Sequence, residues 1–224
     1  MSPSQERPMT ACRQCGTCCR KGGPALRQDD IELVRQGHIR HYQLLVVRQG
    51  ELGYNPATGK VEPVPVELLK IRGQDTSWTC LFLDNATLTC TIYAHRPATC
   101  RILECWAPAP LLATIYQDTL QRRDLLNPDD PIHALLDRHD RESPAAQWGV
   151  LLIQATAGNI AAADLGRLSA LVRADLAIRA EAARLYGISM ELEFFLFGRP
   201  LFTQLAGTHI VCIEENGEIN LRQG

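Results

Sequence analysis

A chain of 224 residues, 46% apolar and 21% charged, is long enough to bury a core and has the make-up of an ordinary globular protein. Its net charge of −2 removes the electrostatic argument for nucleic acid or an anionic membrane surface, and no apolar stretch reaches the ~18–20 residues that a membrane-crossing helix needs. Nine cysteines follow an N-terminus without a signal-peptide run; they read as metal ligands in a cytoplasmic protein, where thiols stay reduced, before they read as disulfides.

Residues 1–10 are a polar tail. Then comes Cys12-Arg13-Gln14-Cys15-Gly16-Thr17-Cys18-Cys19. A Cys-x-x-Cys step bends enough to aim two sulfurs at one metal, and two steps in series form the Cys-x-x-Cys-x-x-Cys run with which bacterial ferredoxins hold an iron–sulfur cluster, a further Cys coming from elsewhere. Cys18 and Cys19 are neighbours whose side chains are expected to diverge, so that one serves a second centre or stays free. Arg7, Arg13, Arg20, Lys21 and Arg27 form a basic run with no acid among them. It is either a solvated surface or charge compensation for thiolates, which cations favour.

Gln28–Gln36 reads as a short helix with acids in its first turn, Arg35 in its last and Gly37 as a stop. Residues 42–71 read as extended, with Asn55–Gly59 as a turn and two prolines placing 60–66 at a sheet edge. Trp78–Leu83 and Leu88–Tyr93 flank Asp84–Thr87 and read as a hairpin with Cys80 and Cys90 on its arms. Pro97 then turns the chain and carries Cys100 back toward the N-terminal loop. Cys105 follows.

After Pro108 and Pro110 the pattern turns helical: 111–126, 131–140, 144–158 and 161–186, with Pro131 and Pro144 at first-turn positions. Leu165, Leu168, Leu171, Ile178, Ala182 and Leu185 form one apolar stripe, with Arg167, Arg173 and Arg179 largely off it. A helix over 189–197 and a terminal hairpin, 208–214 with 218–222 across Asn216-Gly217, complete the chain. The expected fold is α+β: a small irregular cysteine-rich domain with short strands over 1–107, then a mainly helical half over 108–224 that ends in a β-hairpin.

The motifs Cys-x-x-Cys-Gly-x-Cys-Cys, Cys80-Leu81-Phe82-Leu83 and Cys90-Thr91-Ile92-Tyr93-Ala94-His95-Arg96-Pro97-Ala98-Thr99-Cys100-Arg101 occur in the order seen in the YkgJ-like cysteine-cluster proteins. Over residues 10–107 the chain resembles that family. The resemblance implies a zinc- or iron-chelating domain whose ligands are Cys12, Cys15, Cys18, Cys19, Cys80, Cys90, Cys100 and Cys105. The three-cysteine run favours a 4Fe–4S cluster, while zinc more usually takes two paired knuckles, which the second half of the set lacks. Arg96 and Arg101 flank Cys100, either as ordinary ion-pair partners or as hydrogen-bond donors to cluster sulfurs.

Tyr93 and Trp78 are expected to pack under the site. Cys212, among Ile210, Val211 and Ile213, reads as a buried small hydrophobe. His95 reads as a surface residue, and His38, His41, His133, His139 and His209 as structural or exposed. The helical half would dock or stabilise, leaving room for a protein partner. Similar cysteine clusters in flagellin lysine methylases imply an alternative, a cluster-dependent protein or small-molecule methyltransferase using S-adenosylmethionine. No Gly-rich loop after a strand supports that cofactor.

Overall fold

A computed structural model describes residues 11–215 and 217–224. The N-terminal tail, Arg7 of the basic run and Asn216 of the terminal turn lie outside the described residues. The fold is α+β, with three separate two-stranded antiparallel sheets and a helical middle.

The first turn of helix is α1, Thr17–Arg20. A 3-10 turn at Gln28–Asp30 leads into α2, Ile31–Arg35, and Gly37 stops it at φ 77°. The extended region resolves into β1 (Leu44–Val47), β2 (Leu52–Asn55), β3 (Lys60–Pro63) and β4 (Leu68–Ile71). β1 pairs with β4, Val46 opposite Leu69, and β2 pairs with β3 across the turn near Gly59. β1 is buried along its length, with β4 beside it and the helix of residues 190–197 packed on it.

Two expectations fail here. The hairpin over 78–93 is reduced to single bridges, Gly73 with Cys80 and Leu83 with Cys90. Asp84 is the cause: its carboxylate accepts from Ala86 N and Thr87 N in a tight side-chain turn, and Leu88 takes a left-handed φ of 58°. The helix expected over 111–126 shrinks to α4, Ala109–Leu112, and a 3-10 turn at Arg122–Leu125. Between them the backbone bonds outward: Gln28 N donates to Asp118 O and Leu120 N to Leu26 O. Burial of Leu120 in the core overrides local helical preference.

α3, Ala98–Ile102, forms where only a turn at Pro97 is expected from the sequence. The later helices match their signals: α5, Ile132–Glu142, and α6, Ala145–Thr156, each follow a proline. α7 runs from Ala162 to Tyr186 and ends at left-handed Gly187; α8, Met190–Phe197, starts with Ser189 accepting from Leu192 N. β5, Ile210–Glu215, and β6, Glu218–Gln223, form the terminal hairpin. Cys212 is exposed on it, not buried, although Ile210 and Leu221, the register partner of Cys212, lie on the same face and are buried.

α7 ties two apolar clusters together. Its C-terminal part, Ile178 and Ala182, joins β1, β4, α5, α8, Leu26, Cys80, Phe82 and Leu120. Its N-terminal part, Leu168, Leu171 and Val172, packs with α6 and the β5–β6 hairpin. The first cluster takes members from both sides of the 107/108 line. Between the two, the stripe is polar: Asp175 is 1% and Arg179 4% exposed, so Arg179 lies inside rather than off the buried face. Leu185, expected on the stripe, is exposed.

Candidate metal centre

Three chain segments carry the cysteines toward one another. Gly16 lets the first do so. It sits at φ 68°, and a Cβ there would come within 3.0 Å of Leu83 Cδ1 and 3.1 Å of Leu88 O. Only glycine lets the 12–19 loop lie this close to the 83–88 turn. The one-turn helix α1 then presents Cys18 and Cys19, whose sulfurs are 4.0 Å apart. The pair converges rather than diverging as expected.

Cys80 is fixed by backbone. Its N–H donates to Cys19 O at 2.8 Å, and its carbonyl accepts from Leu83 N. Cys90 lies across the Leu83 bridge. Cys100 sits on α3, and this helix is anchored by residues that sequence reasoning missed. The buried Asp30 carboxylate accepts from Ala98 N at 2.7 Å and Arg27 N at 2.9 Å, and Thr99 Oγ1 donates to Ala25 O at 2.7 Å. Asp30 thus caps α3 from a distant segment, a role that local spacing does not advertise. Burial pushes its pKa up, partly offset by these backbone N–H donors.

The result is a group of five thiols, Cys18, Cys19, Cys80, Cys90 and Cys100, in mutual electrostatic reach. Burial, then repulsion from Cys18 and other neighbours, pushes Cys19 up to about 12. Burial likewise raises Cys80 to about 11, and it raises Cys100 further, reinforced by Cys80, Cys18, Cys19 and Cys90. Lys70 on β4, half-buried beside Cys80, is held below its usual pKa by burial, opposed by that thiol. Its place on β4 gave no hint of this role.

Cys12, Cys15 and Cys105 are exposed. The Cys15 pKa is drawn down, first by the Thr17 hydroxyl 3.2 Å away and last by Arg20. Arg20 donates to Cys15 O, whereas Arg27 pairs with Asp118 at 3.0 Å. Arg96 lies over the Tyr93 ring and donates to Tyr93 O; its charge also lowers the Cys90 pKa against burial. Arg101 donates to Arg96 O and reaches Asp30 at 3.9 Å. Trp78 does not pack under the site: it is half-exposed, with Arg199 over its ring. His95 is exposed and stacks on His38 at 3.6 Å.

All nine cysteines are free thiols, the soft donor type that zinc and iron–sulfur clusters require. Among the described residues, no three Cys, His, Asp or Glu side chains stand close enough together to hold one metal ion as they are. The donor chemistry fits a thiolate-bound metal; the sulfurs have to close in for coordination. A family model matches residues 11–121, under the name CxxCxxCC and the description "putative zinc- or iron-chelating domain". Residues 11–121 are thus a CxxCxxCC domain.

The match runs past Cys105 to the segment whose Leu120 pairs with Leu26, so the CxxCxxCC domain takes in the stretch that covers its own N-terminal loop. No curated protein and no solved structure matches the chain. No helix among the described residues is long and apolar enough to cross a membrane.

Proposed function

We propose that the CxxCxxCC domain holds an iron–sulfur centre of the 4Fe–4S type, with its ligands drawn from Cys12, Cys15, Cys18, Cys19, Cys80, Cys90, Cys100 and Cys105. The observation that carries the reading is the gathering of five free thiols from three chain segments at one half-sheltered place. Five sulfurs exceed what one tetrahedral ion uses, and the Cys-x-x-Cys-x-x-Cys run offers further ligands at its rim. Lys70 and Arg96 supply positive charge beside a centre that gathers thiolates. When bound, such a centre supplies electron transfer or Lewis acidity; the chain's part is to hold the thiolates and limit water. Arg96 and Arg101 then act by bracing the Cys90–Cys100 segment.

One observation favours zinc as a second reading. Two thiolates at ~2.3 Å from one tetrahedral ion lie roughly 3.8 Å apart, close to the 4.0 Å between Cys18 and Cys19. Metal and sulfide analysis of anaerobically purified protein separates the two. Iron with acid-labile sulfide and broad absorption near ~400 nm supports the cluster. Stoichiometric zinc without sulfide replaces it with the second reading, and metal-free protein removes both.

A further inference from the structure

The three sheets do not guard their edges alike. β4 is bridged on its outer side by Ala25, and β3 carries Lys60 and Pro63, residues that discourage further pairing. In the terminal hairpin, α7 covers β6: Ser169 Oγ accepts from Leu221 N at 3.2 Å, and Arg173 Nη1 donates to Ile219 O at 3.1 Å.

These contacts fix which way each β5 residue faces. Leu221 N and Ile219 O point at α7, so their register partners, Cys212 and Glu214, form no hydrogen-bonded pairs within the hairpin. Gly224 N donates to His209 O at 2.8 Å, which sets the hairpin's own hydrogen bonds on Val211, Ile213 and Glu215. The N–H and C=O of Cys212 and Glu214 therefore point away from β6, and they have no other partner among the described residues. Ile210 shares their phase, and its N–H donates to Thr208 Oγ1 at 3.2 Å. β5 runs without a bulge, a proline or a lysine, and Val211 is 49% exposed on it. It is an open edge.

An open edge takes another strand through its backbone, and side chains select which strand. The sequence of β5 fits itself. With a second copy laid antiparallel so that Cys212 opposes Cys212, the outward groups of Ile210, Cys212 and Glu214 meet those of Glu214, Cys212 and Ile210 of the second copy as hydrogen-bonded pairs. On the other face Val211 falls opposite Ile213 of the second copy, an apolar pair that symmetry repeats. Exposed Glu215 falls opposite exposed His209, and no two acids oppose each other. Centring the pair on Ile213 instead would set the two Glu214 side chains on a diagonal, like charges within reach. We propose that β5 is a self-pairing edge, through which two copies of this chain join about Cys212 into one continuous sheet. The symmetry is closed, so pairing stops at two. A pairing this short falls below the roughly 1,200 Å² of stable interfaces, so the dimer is reversible and depends on concentration. It is independent of the metal reading.

The test follows the 224-residue chain, purified anaerobically with reductant, by sedimentation equilibrium from about 1 μM to about 1 mM, the span of a weak interface. Hydrogen exchange is read across the same range. The expected result is a monomer–dimer equilibrium in which the Cys212 and Glu214 amides gain protection as concentration rises. Those of Val211 and Ile213, already bonded to β6, stay unchanged. Cys212→Pro removes an N–H that the hairpin does not use, and proline is accepted on strand edges. Val211→Glu gains a partner within the hairpin, since Arg222 is its register neighbour, yet sets an acid diagonal to Glu215 of the second copy. Each variant is expected to weaken dimerisation about tenfold or more, with circular dichroism unchanged. A monomer at every concentration overturns the proposal in favour of a different occupant. So does a dimer that folded Val211→Glu leaves intact, or one formed without protection at Cys212 and Glu214, since the contact then lies on another face.

Discussion

The cysteine-bearing loops and the buried ion network behind α7 solve the same problem, polar groups inside a protein, in opposite ways. The network is complete without help. Asp175 accepts from His139, from Arg179 through Nε, and from Leu201 N, so α5, α7 and the 201–205 turn are locked by one carboxylate. The loops bury thiols that repel one another once charged, and their regular structure is limited to single turns of helix and isolated bridges. One region is self-sufficient. The other gathers groups whose burial is unfavourable to ionise until a cation joins them.

Removing the metal should expose this difference most. For structural zinc the binding energy is roughly 10–16 kcal/mol, far above the net stability of most domains. After chelation, hydrogen exchange should rise sharply over residues 12–22 and 76–105 and little in α7 and in β1, which is held by α8. Equal protection with and without metal would show that the loops stand alone.

The network is broken from its centre. Asp175→Ala leaves Arg179 and His139 buried without their carboxylate and should cost about 3–5 kcal/mol in a urea melt, with metal content unchanged. Acid acts on the same groups. Burial, only partly offset by the Asp175 hydrogen bond, holds His139 at about 4, below its usual 6.5. Burial raises Asp175, but the His139 and Arg179 contacts outweigh it and hold that carboxyl at about 2. Both folded pKa values lie below the unfolded ones, so this stability is full above pH 6.5 and is lost on acidification. The His139 share, about 3 kcal/mol, goes between pH 6.5 and 4, and the Asp175 share between 3.8 and 2. His139→Gln should flatten the upper part of that curve.

Much of this was legible in the sequence. Prolines before α5 and α6, and glycine after α7, mark helix ends through φ constraints that act locally. The cysteine motifs were equally plain. What was not legible depends on distant partners. Asp30 caps a helix from 68 positions away, and Leu120 pairs with Leu26 instead of continuing a helix. Arg179 carried a signal that could have been used: Asp175 stands four residues before it, the spacing of an ion pair on one helix face.

A smaller effect sharpens the contrast from the loop side. Gly16→Ala forces an L-residue into a left-handed conformation and presses its Cβ on Leu83 and Leu88. It should cost about 1–2 kcal/mol and lower metal occupancy, while the pH dependence set by His139 stays as it was. A change in the acid transition of that variant would mean that the two regions do not act separately.

The most direct measurement is metal per chain in Cys100→Ser and Cys212→Ser, purified anaerobically side by side with the unaltered protein, each confirmed as folded by circular dichroism. Cys100 stands among the gathered thiols and Cys212 is exposed on the terminal hairpin. The account predicts full metal content in Cys212→Ser and loss of most of it in Cys100→Ser. Full metal in folded Cys100→Ser, or none in the unaltered protein, would contradict it.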